Sequence, residues 1–212
     1  MASRATPFSA AGVRGFFHQG HGAAARGLVL THGAGSNCEA PLLMETARAF
    51  AAAGFSVLRC DLPFRQARPT GPPQRGSAAG DREGLRHAVA ALRERVRGAV
   101  FLGGHSYGGR QASMLAAEDP AVADALLLLS YPLHPPKKPE QLRTEHFPRL
   151  RTRALFVHGT ADAFGTIAEL ETAIALIPAP TQIMRIEGAG HDLRRGRFDL
   201  AAVAKALLGE KD

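Results

Sequence analysis

The chain has 212 residues, 45% of them hydrophobic and 21% charged, which is the composition of a globular protein rather than a disordered one. At this size a full core is buried without staples, and two cysteines, Cys38 and Cys60, exclude a disulfide framework and a Cys-rich zinc module. The net charge of +7 comes mostly from arginines scattered along the whole chain, without the aromatic interleaving of a single-strand binder, so nucleic acid is not expected as a partner.

No acidic residue precedes Glu39. That basic, Ala-rich start has the composition of a transit peptide, but its Gly and Pro breakers leave no helical apolar stripe. No signal-peptide core precedes residue 26, and no apolar run reaches the ~18 residues of a spanning helix. Residues 1–26 are therefore expected to form an N-terminal arm, with Phe8–Gln19 an edge strand or an irregular segment. Residues 27–212 are expected to form a single domain, in a cytoplasmic protein.

Leu28–Thr31 reads as a short buried strand stopped by His32-Gly33. Leu42–Ala53 reads as a helix, with Leu43, Ala47 and Phe50 on one face and Gly54 ending it. Phe55–Cys60 is the next strand. The prolines and glycines of residues 61–80 predict a long loop. A helix from Asp81 to Arg97 follows, with Leu85, Val89, Leu92 and Val96 at helical spacing. Ala99–Leu102 reads as a strand, Gly109–Ala117 as a helix and Ala125–Leu129 as a strand. Residues 131–150 are a second loop. Ala154–Val157 is a strand, Ile167–Ile177 a helix, Thr181–Ile186 a strand and Arg197–Leu208 the last helix. Continuous apolar strands separated by helices predict an α/β fold: a mostly parallel sheet of about six strands, covered by helices on both faces.

The strongest local signal is Gly103-Gly104-His105-Ser106-Tyr107-Gly108-Gly109-Arg110. It holds G-x-S-x-G, a frequent pattern in a Gly-rich chain, but here between an apolar strand and a helix. In that context a serine sits on a sharp strand-to-helix turn and projects its hydroxyl above the sheet. No lysine follows in the position a phosphate loop needs.

A serine is nucleophilic at neutral pH only beside a base. The base is a histidine, and a carboxylate holds it in the useful tautomer. After Ser106, the strand Ala154–Val157 leads into Asp162, and the strand Thr181–Ile186 leads into His191. The order Ser, Asp, His suits a hydrolase sheet. Against this stand plainer roles: Asp162 as a cap for the helix near Thr166, and His191 as a surface-loop histidine. Asp192 and Glu187 are alternative acids, but neither is placed separately from His191. His32 and His158 are read as loop braces, and His105 as the variable residue of the turn. Cys38 has no surroundings that would make its thiol a rival nucleophile.

Acyl transfer also needs two donors for the developing oxyanion. The amide of Tyr107 supplies one. The other is expected from the loop after the first strand, with Ala34 as the first choice and Gly35 the second.

The segments HGAGSN, GGHSYGGR, HGTADAFG and GAGHDL together resemble the α/β-hydrolase superfamily. Within it the chain resembles small, lidless, dienelactone-hydrolase-like bacterial proteins, a group related to the testis-expressed hydrolase-like proteins of animals. YPLHPPKKPEQLRTEHFPRL at 131–150 and Asp61-Leu62-Pro63-Phe64-Arg65 add to that likeness. The resemblance implies Ser106 as nucleophile, Asp162 as acid and His191 as base. It departs in one respect: dienelactone hydrolases use a Cys nucleophile, so their substrate does not carry over. No cap of the usual size is inserted after Leu129, which leaves substrate choice to the loops 61–80 and 131–150. Lys137 and Lys138 in the second loop are read as solvated charges.

The expected function is serine hydrolysis of an ester, thioester or related acyl bond in a small-molecule substrate, through an acyl-enzyme. No metal and no organic cofactor is required. Two other readings remain open: an idle hydrolase fold used for binding or assembly, and an acyltransferase.

Overall fold

The computed structural model describes residues 5–20, 26–194 and 198–209. Apolar runs with both faces buried become the middle of a sheet. Leu28, Val29, Leu30, Leu126, Leu127, Leu128 and Leu129 are all fully buried, as strands covered on both sides must be. The strands are β1 (Ala5–Ala10), β2 (Val13–His18), β3 (Arg26–Thr31), β4 (Phe55–Cys60), β5 (Val100–His105), β6 (Leu126–Leu129), β7 (Ala154–Gly159) and β8 (Thr181–Ile186). They form one eight-stranded sheet in the order β1-β2-β4-β3-β5-β6-β7-β8. The six strands from β3 onward run parallel. β1 and β2 form an antiparallel hairpin, and β2 pairs with β4 at that edge.

The helices are α1 (Pro41–Ala52), α2 (Pro63–Ala67), α3 (Ser77–Arg93), α4 (Tyr107–Glu118), α5 (Ile167–Ile174) and α6 (Leu200–Leu208). Leu43 and Phe50 of α1 pack with Val203 and Leu207 of α6 in one core layer. Leu85 and Leu92 of α3, Leu115 of α4 and Leu170 of α5 lie in the other. This is an α/β-hydrolase fold without a cap domain: in residues 130–153, between β6 and β7, the regular structure is a single 3-10 turn, Phe147–Arg149. Among the described residues no helix is long and apolar enough to cross a membrane.

Several predicted boundaries move. The segment 61–80 contains α2, five residues too short to carry an apolar stripe, and the first residues of α3. Asp81 is therefore inside α3 rather than at its start. It is fully buried, where it accepts the Phe64 amide at 3.0 Å and the Tyr107 hydroxyl at 2.7 Å. α3 ends at Arg93 rather than Arg97, and α5 at Ile174 rather than Ile177. α4 begins at Tyr107 rather than Gly109. The last helix begins at Leu200, with the Asp199 carboxylate capping it through the Ala201 amide. Of its expected start at Arg197, residues 195–197 lie outside the described residues, as do residues 1–4 and 21–25 of the expected arm.

β3 and β5 are sheet neighbours, but the chain leaves β3 toward β4 on the other side. The carboxyl ends of β3 and β5 thus flank the point where the strand order reverses. Open α/β sheets bind ligands in the crevice at such a point.

Candidate active site

Ser106 joins β5 to α4 with φ 51° and ψ −117°. A non-glycine residue there stores about 1–3 kcal/mol of strain, so the surroundings must enforce it. The Ser106 amide is tied to the Leu129 carbonyl at 2.9 Å, and its carbonyl accepts from Arg110 at 3.0 Å. Gly108 allows the turn to press on the end of β3: a Cβ there would stand 2.6 Å from the His32 carbonyl oxygen. Gly104 is equally confined, its missing Cβ lying 2.8 Å from the Thr31 oxygen.

The turn holds the Ser106 hydroxyl 2.8 Å from Nε2 of His191. Nδ1 of His191 lies 2.8 and 3.0 Å from the two carboxylate oxygens of Asp162. A carboxylate only accepts, so Nδ1 carries the ring proton and Nε2 presents a lone pair to the hydroxyl. The Asp162 side chain is fully buried and accepts the Phe164 amide at 2.8 Å. Thr166 caps α5 in a reciprocal box with Glu169, so Asp162 is not that helix's cap. The Phe164 ring stacks on His191 at 4.1 Å between centroids.

His105, to which the sequence assigned no chemistry, lies beside this array. Its Nε2 donates to the His191 carbonyl at 2.8 Å. Burial lowers its pKa from 6.5 to about 4, so the ring stays neutral and one nitrogen carries the donated proton. His32 and His158 brace loops: His32 accepts the Leu62 amide at 3.1 Å, and His158 donates to the Gly165 carbonyl at 2.8 Å. Asp192 instead accepts the Arg194 amide, and Glu187 the Thr160 hydroxyl. Burial pushes the Cys38 thiol up to about 12, opposite to the shift a nucleophilic thiol needs.

A second serine–histidine pair has a different character. Ser113 and Nε2 of His146 are 2.8 Å apart, but the Ser113 hydroxyl proton goes to the Arg110 carbonyl at 2.9 Å. Nε2 must then donate to Ser113, which removes it as a base for that hydroxyl.

The loop after β3 faces Ser106. A Cβ on Gly33 would stand 3.5 Å from that of Ser106. The Gly33 carbonyl accepts the Ser36 amide and contacts Nδ1 of His32, while the Ala34 carbonyl accepts from Arg65 at 3.0 Å. In trans peptides the next amides point away from those partners. Ala34, Gly35, Ser106, Tyr107 and His191 all line one open cavity of about 1000 Å³. Pro73 and Arg75 reach it from the segment 61–80, and Pro132 and Arg143 from the segment 131–150. Among the described residues no three His, Cys, Asp or Glu side chains are gathered as a metal site would gather them.

Comparison with known proteins gives a consistent family. Residues 24–206 match the model of an alpha/beta hydrolase domain. A dienelactone hydrolase from Anabaena variabilis is similar in structure, with 22% identity and a TM-score of 0.71 over 96% of this chain and 94% of that one. A serine hydrolase without lid from Xanthomonas campestris has 16% identity and a TM-score of 0.68, over 99% and 94% of the two chains. An alpha-beta serine hydrolase homologue from Coxiella burnetii has 16% identity and a TM-score of 0.73, over 100% and 99%. At these identities the structural likenesses speak for the fold.

Proposed function

We propose that this chain, which belongs to the alpha/beta hydrolase domain family, is a serine hydrolase that cleaves esters, thioesters or related acyl bonds through an acyl-enzyme. Hydrolase activity in general follows from the family. The finer reading is carried by one observation: the unbroken line of hydrogen bonds from Ser106 through His191 to a buried Asp162, at an open cavity.

The chemistry follows from the tautomer. His191 Nε2 takes the Ser106 proton as Oγ bonds to the substrate carbonyl carbon. The carbonyl oxygen becomes an oxyanion, held by the Tyr107 amide and by the Ala34 amide, with Gly35 the alternative second donor. Asp162 stabilises the imidazolium and keeps its ring in register. As the tetrahedral adduct collapses, the bond to the leaving group breaks and that group takes the proton from His191. Water then enters, gives a proton to His191 and attacks the acyl carbon. The ester bond to Ser106 breaks, the proton returns to Oγ, and the acid leaves.

The test is covalent. A fluorophosphonate probe should label Ser106 alone, and Ser106→Ala should abolish labelling with an unchanged melting curve. Its turnover of p-nitrophenyl acetate should fall to the residual ~10³–10⁴-fold over water that binding and the oxyanion donors supply without the nucleophile. A wild-type protein that takes no label would make this fold a binding module. Near-normal turnover in Ser106→Ala would move the nucleophile elsewhere.

A further inference from the structure

The wall of the cavity beside Ser106 is positively charged, and among the described residues its arginines have no carboxylate partner. Arg110 and Gln111 follow the turn directly on α4, and Arg143 comes from the loop between β6 and β7. Arg75 adds a third cation. Among the described residues lining the cavity there is no carboxylate. The surroundings treat other arginines differently: Arg82 pairs with Glu118 and Arg86 with Asp119.

Two buried donors in this wall have no partner, Nε of Arg110 and Nε2 of Gln111. Gln111 is only 1% exposed. Its orientation is settled, because Arg82 donates to Oε1 at 3.3 Å. An arginine has no acceptor, so the amide nitrogen must be the end left over. Buried donors are nearly always satisfied, and those that are not call for a missing partner. Arg143 donates to the Pro132 carbonyl at 3.3 Å. Its charge is opposed by burial and by Arg110, with Glu145 and the Tyr131 phenol the groups that favour it. Glu145 is itself exposed. Two guanidinium groups that repel each other, lining one cavity with the Gln111 side chain and no carboxylate, suit an anion with two oxygens.

We propose that Arg110, Arg143 and Gln111 form a subsite for a carboxylate, so that the esters cleaved at Ser106 carry a second, anionic group. The proposal rests on Ser106 being the nucleophile. Arg110 lies one helical turn beyond Ser106, about 6 Å along the axis. Ser106, Arg110, Arg143 and Gln111 line the same cavity, so one small molecule can present both the carboxylate and the scissile carbonyl.

The experiment uses matched esters on the wild-type chain. Monomethyl glutarate places a carboxylate on the acyl side, and acetoxyacetate places one on the alcohol side. Each is compared with its own carboxamide isostere, and fluorophosphonate labelling of Ser106 is run in parallel. In at least one pair, kcat/KM should favour the carboxylate by about tenfold or more, the size expected of a charge-assisted hydrogen bond. That ratio should collapse toward one in the Arg110→Met, Arg143→Met double variant. Gln111→Glu, which changes no volume and places a carboxylate in the wall, should lower it as well. If the double variant does not fold, Gln111→Glu and the wild-type ratios still decide. Labelled Ser106 with both ratios near one would overturn the subsite and leave the hydrolase reading intact. A preference that survives Gln111→Glu and the double variant would place the anion elsewhere and equally overturn the proposal. An unlabelled Ser106 would remove the hydrolase reading, and the subsite with it.

Discussion

His105 occupies the variable position of the turn, and its contribution is to hold another residue still. The His191 ring is fixed by three neighbours: Asp162 at Nδ1, the stacked Phe164, and His105 through the His191 carbonyl. Removing one of them should loosen the ring without emptying the substrate cavity. His105→Phe keeps the ring size and deletes the donor. Its kcat on p-nitrophenyl acetate should fall about tenfold, because misplaced catalytic groups are costly even at small displacements, while KM changes little. A wild-type kcat in that variant would show that the His191 backbone needs no such anchor. Asp162→Asn should be harsher. An amide can present its NH₂ to Nδ1, and the ring then turns its proton to Nε2, where it opposes deprotonation of Ser106. Loss of rate by about four orders, with the fold retained, is expected from the tautomer alone. Steady-state rates and a melting curve on one preparation test it.

The element hardest to read from sequence is α2, and Arg65 shows why. Residues 61–80 look like a loop because their prolines break periodicity and α2 is too short to have any. Their order comes from contacts far away in the chain. Asp61 accepts the Cys38 amide, Leu62 donates to His32, and Phe64 donates to Asp81. Arg65, only 4% exposed, donates to the carbonyls of Ala34, Ser36, Arg68 and Gly71. One side chain thus ties the loop after β3 to the loop after α2. Arg65→Lys keeps the charge but has one nitrogen for four widely spaced acceptors. It should cost about 2–4 kcal/mol in urea denaturation and lower kcat, through the freed Ala34 and Gly35 peptides. A lysine variant that matches wild type in both would leave the loops self-supporting. The parallel strands β3 to β7 were legible because each is largely an apolar run buried on both faces, a signal that lies wholly within the strand; β8, at the sheet edge, is only partly buried. Ser106, Asp162 and His191 were placed by the strand ends that precede them, and the structure brings the three together. The β1–β2 hairpin was half legible, since its turn is Ala11-Gly12 with both residues at positive φ. Asn-Gly or Asp-Gly would have announced that turn, and alanine does not.

At the scale of the whole molecule, the histidines decide how the fold responds to acid. His18, His105 and His146 are each held from 6.5 down to about 4, with burial the leading cause. Arginines add to it: Arg59 and Arg48 beside His18, and Arg110, Arg149 and Arg82 beside His146. His32 is shifted the same way, again by burial first. In the unfolded chain all of them titrate near 6.5. Between 6.5 and about 4 the unfolded chain therefore binds protons that the folded chain refuses. Stability rises with pH wherever the unfolded state holds more protons, so it must fall as the solution is acidified through this window. Above 6.5 these groups are neutral in both states and contribute no slope. Each fully shifted histidine adds up to ~1.4 kcal/mol per pH unit inside the window. Urea midpoints measured from pH 7.5 down to about 4.5 should be level at first and then decline steeply. His146→Gln isolates one contribution: its amide can still donate to Ser113, it carries no titrating ring, and it should flatten the decline by a visible fraction. An acid limb identical in wild type and His146→Gln, or a midpoint that holds steady to pH 4.5, would mean that the buried rings take up protons in the folded state as readily as in the unfolded one.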